Sequence, residues 1–151
     1  MNPHDSGFAI KIPFVEHLGF ELTKYEGGQS EIVFEARPEH QNTFDVTHGG
    51  AVMTLLDVSM ATAARSMQND MGVVTIEMKT SFMRPTRGKV TAKGSLMHRT
   101  ATMAFVTSTI YDAKGTATAH ATGTFKYVRR NDSVKPGAGG PSGTVSPIST
   151  D

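Results

Sequence analysis

From Gly50 to Met67 the chain reads GAVMTLLDVSMATAARSM. Set on a helix of about 3.6 residues per turn, Ala51, Val52, Leu55, Leu56, Val58, Ala61, Ala63 and Ala64 fall on every side. A helix that is small or apolar all the way round belongs in an interior, so whatever else the chain forms must wrap around this one element. Asp57 stands in its middle, the only charged residue between His48 and Arg65. An ionised carboxylate is expensive to bury unless something pairs with it or uses it, which marks Asp57 as the first candidate for chemistry.

The remainder of the 151 residues suits one domain with a core that needs neither disulfides nor metals. With 38% hydrophobic and 19% charged residues and no cysteine, disulfides, thiolate catalysis and thiolate metal sites are excluded. The formal charge of +1 and the lack of a basic run beyond Arg129 and Arg130 offer nothing to nucleic acid or a membrane surface. No apolar run approaches the roughly 20 residues that span a bilayer, and the first residues lack the order of a signal peptide. A cytoplasmic protein is expected.

Residues 1–11 read as a loose lead-in, 12–130 as a single domain, and 131–151, rich in Gly, Pro and Ser, as a disordered tail. Ile12 to Leu18 suits a short helix with Pro13 in its first turn and Gly19 at its end. Phe20–Glu26 and Ser30–Arg37 read as two strands joined at Gly27 and Gly28. After the central helix, period-two patterning begins at Gly72, with Val74, Ile76, Met78 and Phe82 on one parity and Thr75, Glu77, Lys79 and Ser81 on the other. Strands over Lys89–Arg99, Thr102–Tyr111 and Thr116–Val128 follow. The last keeps Ala117, Ala119, Ala121, Gly123, Phe125 and Tyr127 on one side, small enough in part for a helix to approach closely. The expected fold is α+β, one long helix wrapped by a curved antiparallel sheet of about six strands.

His48, Gly49 and Gly50 lie where a polar loop enters the helix. Backbone N–H groups of a first helical turn have no intrahelical partner, and with the positive end of the helix dipole they suit a carbonyl oxygen gaining negative charge; a plain glycine-containing helix start is the alternative. Gly49 and Asp57 are eight residues apart, ~12 Å along the axis, too far to serve one reacting carbonyl from one chain. A symmetric dimer with the two helices antiparallel brings the start of one to the middle of the other.

The run Asn42, His48, Gly49, Gly50 and Asp57, in the spacing N-x5-H-G-G-x7-D, together with Thr75 in VVTIEM, resembles the hotdog-fold acyl-CoA thioesterases of the PaaI-like (phenylacetic acid degradation) branch. The resemblance covers residues 12–128, with Val46 where members often carry glycine. It implies that the Gly49 N–H polarises the thioester carbonyl, with Asn42 nearby and His48 shaping the loop, while Asp57 of the partner acts as general base or nucleophile and Thr75 orients the water. It implies an acyl-CoA substrate and a homodimer that in this family often doubles to a homotetramer. Because a thioester carbonyl is already electrophilic, a general base and an oxyanion hole can suffice, and no cofactor is expected, nor a metal, since no His-x3-His or similar pair occurs. Coenzyme A is a polyanion; Gly50, Arg84 and Arg87 are candidate contacts, with solvated surface charge the alternative for each arginine. Two other readings are a hotdog enoyl-CoA hydratase or dehydratase built on Asp45 and His48, and an acyl-CoA-binding module without catalysis.

Overall fold

The computed structural model describes residues 6–130; the tail expected from residue 131, and residues 1–5 of the lead-in, lie outside them. The elements in order are a short helix α1 (Pro13–Leu18), strands β1 (Glu21–Glu26) and β2 (Gln29–Glu35), a 3-10 turn (Pro38–His40), the long helix α2 (Gly49–Arg65), and strands β3 (Met71–Phe82), β4 (Lys89–Arg99), β5 (Met103–Tyr111) and β6 (Ala117–Arg129). The six strands form one sheet in the order β1-β2-β4-β5-β6-β3, antiparallel throughout. Gly27 and Gly28 both have positive φ, at 58° and 79°, the backbone that a two-residue hairpin turn between right-twisted strands requires.

The sheet wraps α2. Val52, Leu55, Leu56, Met60, Ala63 and Ala64 are all buried against it, each of the larger side chains contributing about 1.5–3 kcal/mol by leaving water. Close approach is made where the sheet lacks a side chain: a Cβ on Gly94 would lie 2.4 Å from the Ser59 carbonyl oxygen. There the helix is also tied by polar contacts, because the Ser30 hydroxyl donates to the Ser59 carbonyl (2.6 Å) and Ser59 Oγ meets Ser108 Oγ (2.5 Å). The Tyr127 hydroxyl donates to the Ala64 carbonyl (2.8 Å), fixing the last turn.

Three features depart from the pattern read in the sequence. The helix is not buried on every side: Thr54, Asp57, Val58, Ala61, Thr62 and Arg65 are half-buried and Met53 is exposed, because the single sheet covers only one flank. On β3 the parity inverts. A bulge between Thr75 and Glu77 leaves Val74 and Ile76 44% and 54% exposed, whereas Met71, Val73 and Met78 pack on the core and Thr75 turns towards α2. Residues 6–11, expected to be loose, are anchored in part: the Leu22 N–H donates to the Ser6 carbonyl (2.7 Å) and Phe8 packs on the core.

Candidate active site

The path into α2 is set by a tight loop. Gln41 and Thr47 form an isolated antiparallel bridge, and the Asn42 side-chain oxygen accepts from the N–H groups of Phe44 (2.9 Å) and Val46 (3.4 Å). Asp45 takes φ = 55°, a left-handed conformation that Asp and Asn tolerate better than most residues; Val46 therefore need not supply it. The Thr47 N–H donates to the Thr86 carbonyl (3.0 Å) and the His48 N–H to the His40 carbonyl (2.8 Å). His40 is buried, its Nδ1 accepting from the Arg37 N–H (3.0 Å). Burial, with the Arg37 charge second, pushes its pKa below the ordinary histidine value, Glu39 opposing and His17 adding slightly.

At the helix start the donors are unequally committed. The His48 carbonyl accepts from the N–H groups of Ala51 and Val52 (3.0 and 3.1 Å), and its ring Nδ1 accepts from the Gly50 N–H (2.8 Å). His48 is thus the N-cap, and an accepting Nδ1 places the proton of the neutral ring on Nε2. Gly50, expected as a substrate contact, has its N–H taken by this cap. Among the described residues nothing accepts from the Gly49 N–H. That donor opens on a cavity of about 580 Å³ lined also by Asn42, Phe44, Phe82, Arg84 and Arg87. Both arginines are exposed and held at one edge, Arg84 Nη1 donating to the Ala117 carbonyl (2.8 Å) and Arg87 Nη1 lying 3.5 Å from the Asp45 carbonyl.

Asp57 belongs to a different opening. Its Oδ1 accepts from the Thr75 hydroxyl at 2.6 Å, and no other described residue donates to the carboxylate. Cavities of about 240 and 500 Å³ flank it, the first bounded by Phe8, Ile12, Ala61 and Val73, the second by Phe14, Met53 and Met78. Neither shares a lining residue with the Gly49 cavity. The structure therefore gathers Asn42, Gly49, Arg84 and Arg87 in one place and Asp57 with Thr75 in another. Thr75 holds the carboxylate directly. No hydrogen bond joins Asp45 to His48 among the described residues, and His48 Nδ1 is engaged by its own helix, so the acid and histidine pair expected of a hydratase is not assembled. Sequence reading missed the lead-in residues Phe8 and Ile10 and the helix residue Arg65, all of which line the smaller Asp57 cavity; Asp57, Ala61 and Arg65 recur every fourth position, the spacing of one helix stripe, and that was the available signal.

Residues 44–119 match the family model described as the thioesterase superfamily. The medium/long-chain acyl-CoA thioesterase YigI of Escherichia coli is 29% identical over 109 residues, covering 60% of this chain and 69% of that protein. Among solved structures, the conserved protein PA5202 from Pseudomonas aeruginosa superposes with a TM-score of 0.75 at 25% identity, covering 78% of this chain and 95% of that one. The PaaI protein of the E. coli phenylacetic acid degradation operon gives 0.74 at 18% identity, covering 78% and 86%. The wrapped-helix architecture is the hotdog fold.

Proposed function

The chain belongs to the thioesterase superfamily, and from that premise we propose that it hydrolyses acyl-CoA thioesters in a site shared by two copies of the chain. The observation that carries this reading is the split of one helix into two incomplete halves. An uncommitted Gly49 N–H faces one cavity, and a carboxylate with a single partner faces another. Each supplies what the other lacks.

Pairing is also favoured by the sheet. β3 is an edge strand of 12 residues carrying exposed Val74 and Ile76, and a long apolar edge left open is a liability that proteins cover. Two β3 edges joined about a two-fold axis would run the α2 helices antiparallel and carry Gly49 of one copy towards Asp57 of the other. Pairing of two such dimers into a tetramer leaves this site unaltered.

In such a site the free oxygen of Asp57 takes a proton from water while Thr75 holds the other oxygen. The water oxygen attacks the thioester carbon, and negative charge collects on the carbonyl oxygen, where the Gly49 N–H and the start of α2 stabilise it. Collapse expels the CoA sulfur, which receives the proton from Asp57. Arg84 and Arg87 stand beside the Gly49 cavity for the anionic groups of CoA, and Asn42, its side-chain oxygen turned into the loop, lines the same space. Direct attack by the carboxylate would use the same oxygen, expelling the CoA sulfur and forming a mixed anhydride that water then opens; in a single turnover in heavy-oxygen water, label entering Asp57 marks that route.

The test is release of free thiol by the purified protein from a panel of short, medium-chain and aromatic acyl-CoAs. Hydrolysis that Asp57→Asn abolishes supports the reading. Tight acyl-CoA binding without turnover by the wild type would establish a binding module instead.

A further inference from the structure

The smaller cavity at Asp57 is mostly apolar along its length, with Phe8, Ile12, Val58, Ala61 and Val73 on its walls, yet Arg65 and Arg130 also line it. Arg65 is eight residues beyond Asp57 on α2, ~12 Å further along the axis and on the same stripe. Its guanidinium is held from behind: Nη2 donates to the Asn69 carbonyl (3.2 Å), and the Asn69 side chain in turn accepts from the Tyr25 hydroxyl. No carboxylate pairs with Arg65 among the described residues, so its charge stands at the end of a largely apolar cavity without a counter-ion. Such a guanidinium suits a carboxylate, which it can meet with paired hydrogen bonds.

From this we infer that the site takes acyl groups bearing a distal carboxylate, the ω-carboxyl acyl-CoA thioesters, with Arg65 as the specificity-determining residue. The inference rests on the thioesterase reading above. CoA approaches from the partner's Arg84 and Arg87 side, the thioester lies at Asp57, and the acyl chain runs over Val58 and Ala61 towards the far end. There the carboxylate pairs with the Arg65 guanidinium, with Arg130 adding a second positive charge. A chain ending in a methyl group leaves that charge without a counter-ion. A site built to hydrogen-bond a group discriminates strongly against analogues that lack it.

The experiment compares kcat/KM for adipyl-, suberyl- and sebacyl-CoA with hexanoyl-, octanoyl- and decanoyl-CoA, in the wild type and in Arg65→Met and Arg65→Lys. The wild type is expected to favour the carboxylated ester of at least one matched pair by roughly tenfold or more. Arg65→Met should erase that preference chiefly through KM, and Arg65→Lys should restore part of it. Equal rates within every pair, or equal losses on both partners of a pair in Arg65→Met, as expected if Arg65 held a CoA phosphate, would overturn the inference while leaving the thioesterase reading intact. Hydrolysis of no ester at all would bring down both.

Discussion

Asp57 and Ser59 stand two positions apart on the same helix and could hardly be treated more differently. Ser59 is fully buried and fully satisfied: its hydroxyl donates to the Leu56 carbonyl (2.9 Å) and meets Ser108, and its carbonyl accepts from Ser30. Asp57 is half-buried, receives a single hydrogen bond, and opens on two cavities. The polar group that closes every hydrogen bond locks the helix to the sheet. The one left with spare capacity, beside space, is the one equipped to react.

Substitutions at the two positions should therefore separate activity from stability. Asp57→Asn keeps the shape and the contact with Thr75 while removing the base; kcat/KM should fall by roughly 10²- to 10⁴-fold with the melting temperature unchanged or raised. Thr75→Val leaves the carboxylate in place without its anchor, and a drop in kcat of about tenfold is expected from loss of a hydrogen bond to a charged group. Ser59→Ala should do the reverse, leaving kcat/KM intact and lowering stability by about 1–3 kcal/mol, because Ser108 is stranded without its partner; urea unfolding measures it. The comparison would break if Ser59→Ala cost activity or Asp57→Asn cost the fold.

The smallest effect lies at His40, which supports the N-cap through its carbonyl and is kept neutral by burial and by Arg37. Its folded pKa is depressed, so the stability it contributes is present above the ordinary histidine value of ~6.5 and is lost as pH falls from there towards the folded value. Melting temperature should decline between neutral and mildly acidic pH, and less steeply in His40→Gln.

Legibility followed the range of the interaction. The helix, the strand series and the separation of Gly49 from Asp57 depend on local periodicity and on a fixed rise per residue, and they read directly from the chain. The face presented by Thr75 did not, because one bulged residue, Ile76, inverts the parity of β3 without any mark in its pattern of apolar residues. Gly50 looked equivalent to Gly49 until the His48 ring was seen to take its N–H. Arg65 shares the helix stripe of Asp57 in the sequence, but only packing with the lead-in and β3 encloses it in the Asp57 cavity.

The central claim is that each α2 helix contributes its start to one active site and its middle to another. Gly49→Pro tests the start cleanly: Gly49 is the first helical residue, where proline is well tolerated, the preceding His48 has ψ = 139°, as proline prefers, and the N–H is deleted, an expected loss of roughly 10²- to 10³-fold. Neither Gly49→Pro nor Asp57→Asn alone should retain appreciable hydrolysis. Co-expressed in equal amounts, the two variants should recover about a quarter of wild-type activity, since half of randomly paired dimers hold one site with both groups intact. Activity no higher than that of the two variants apart would contradict the shared site.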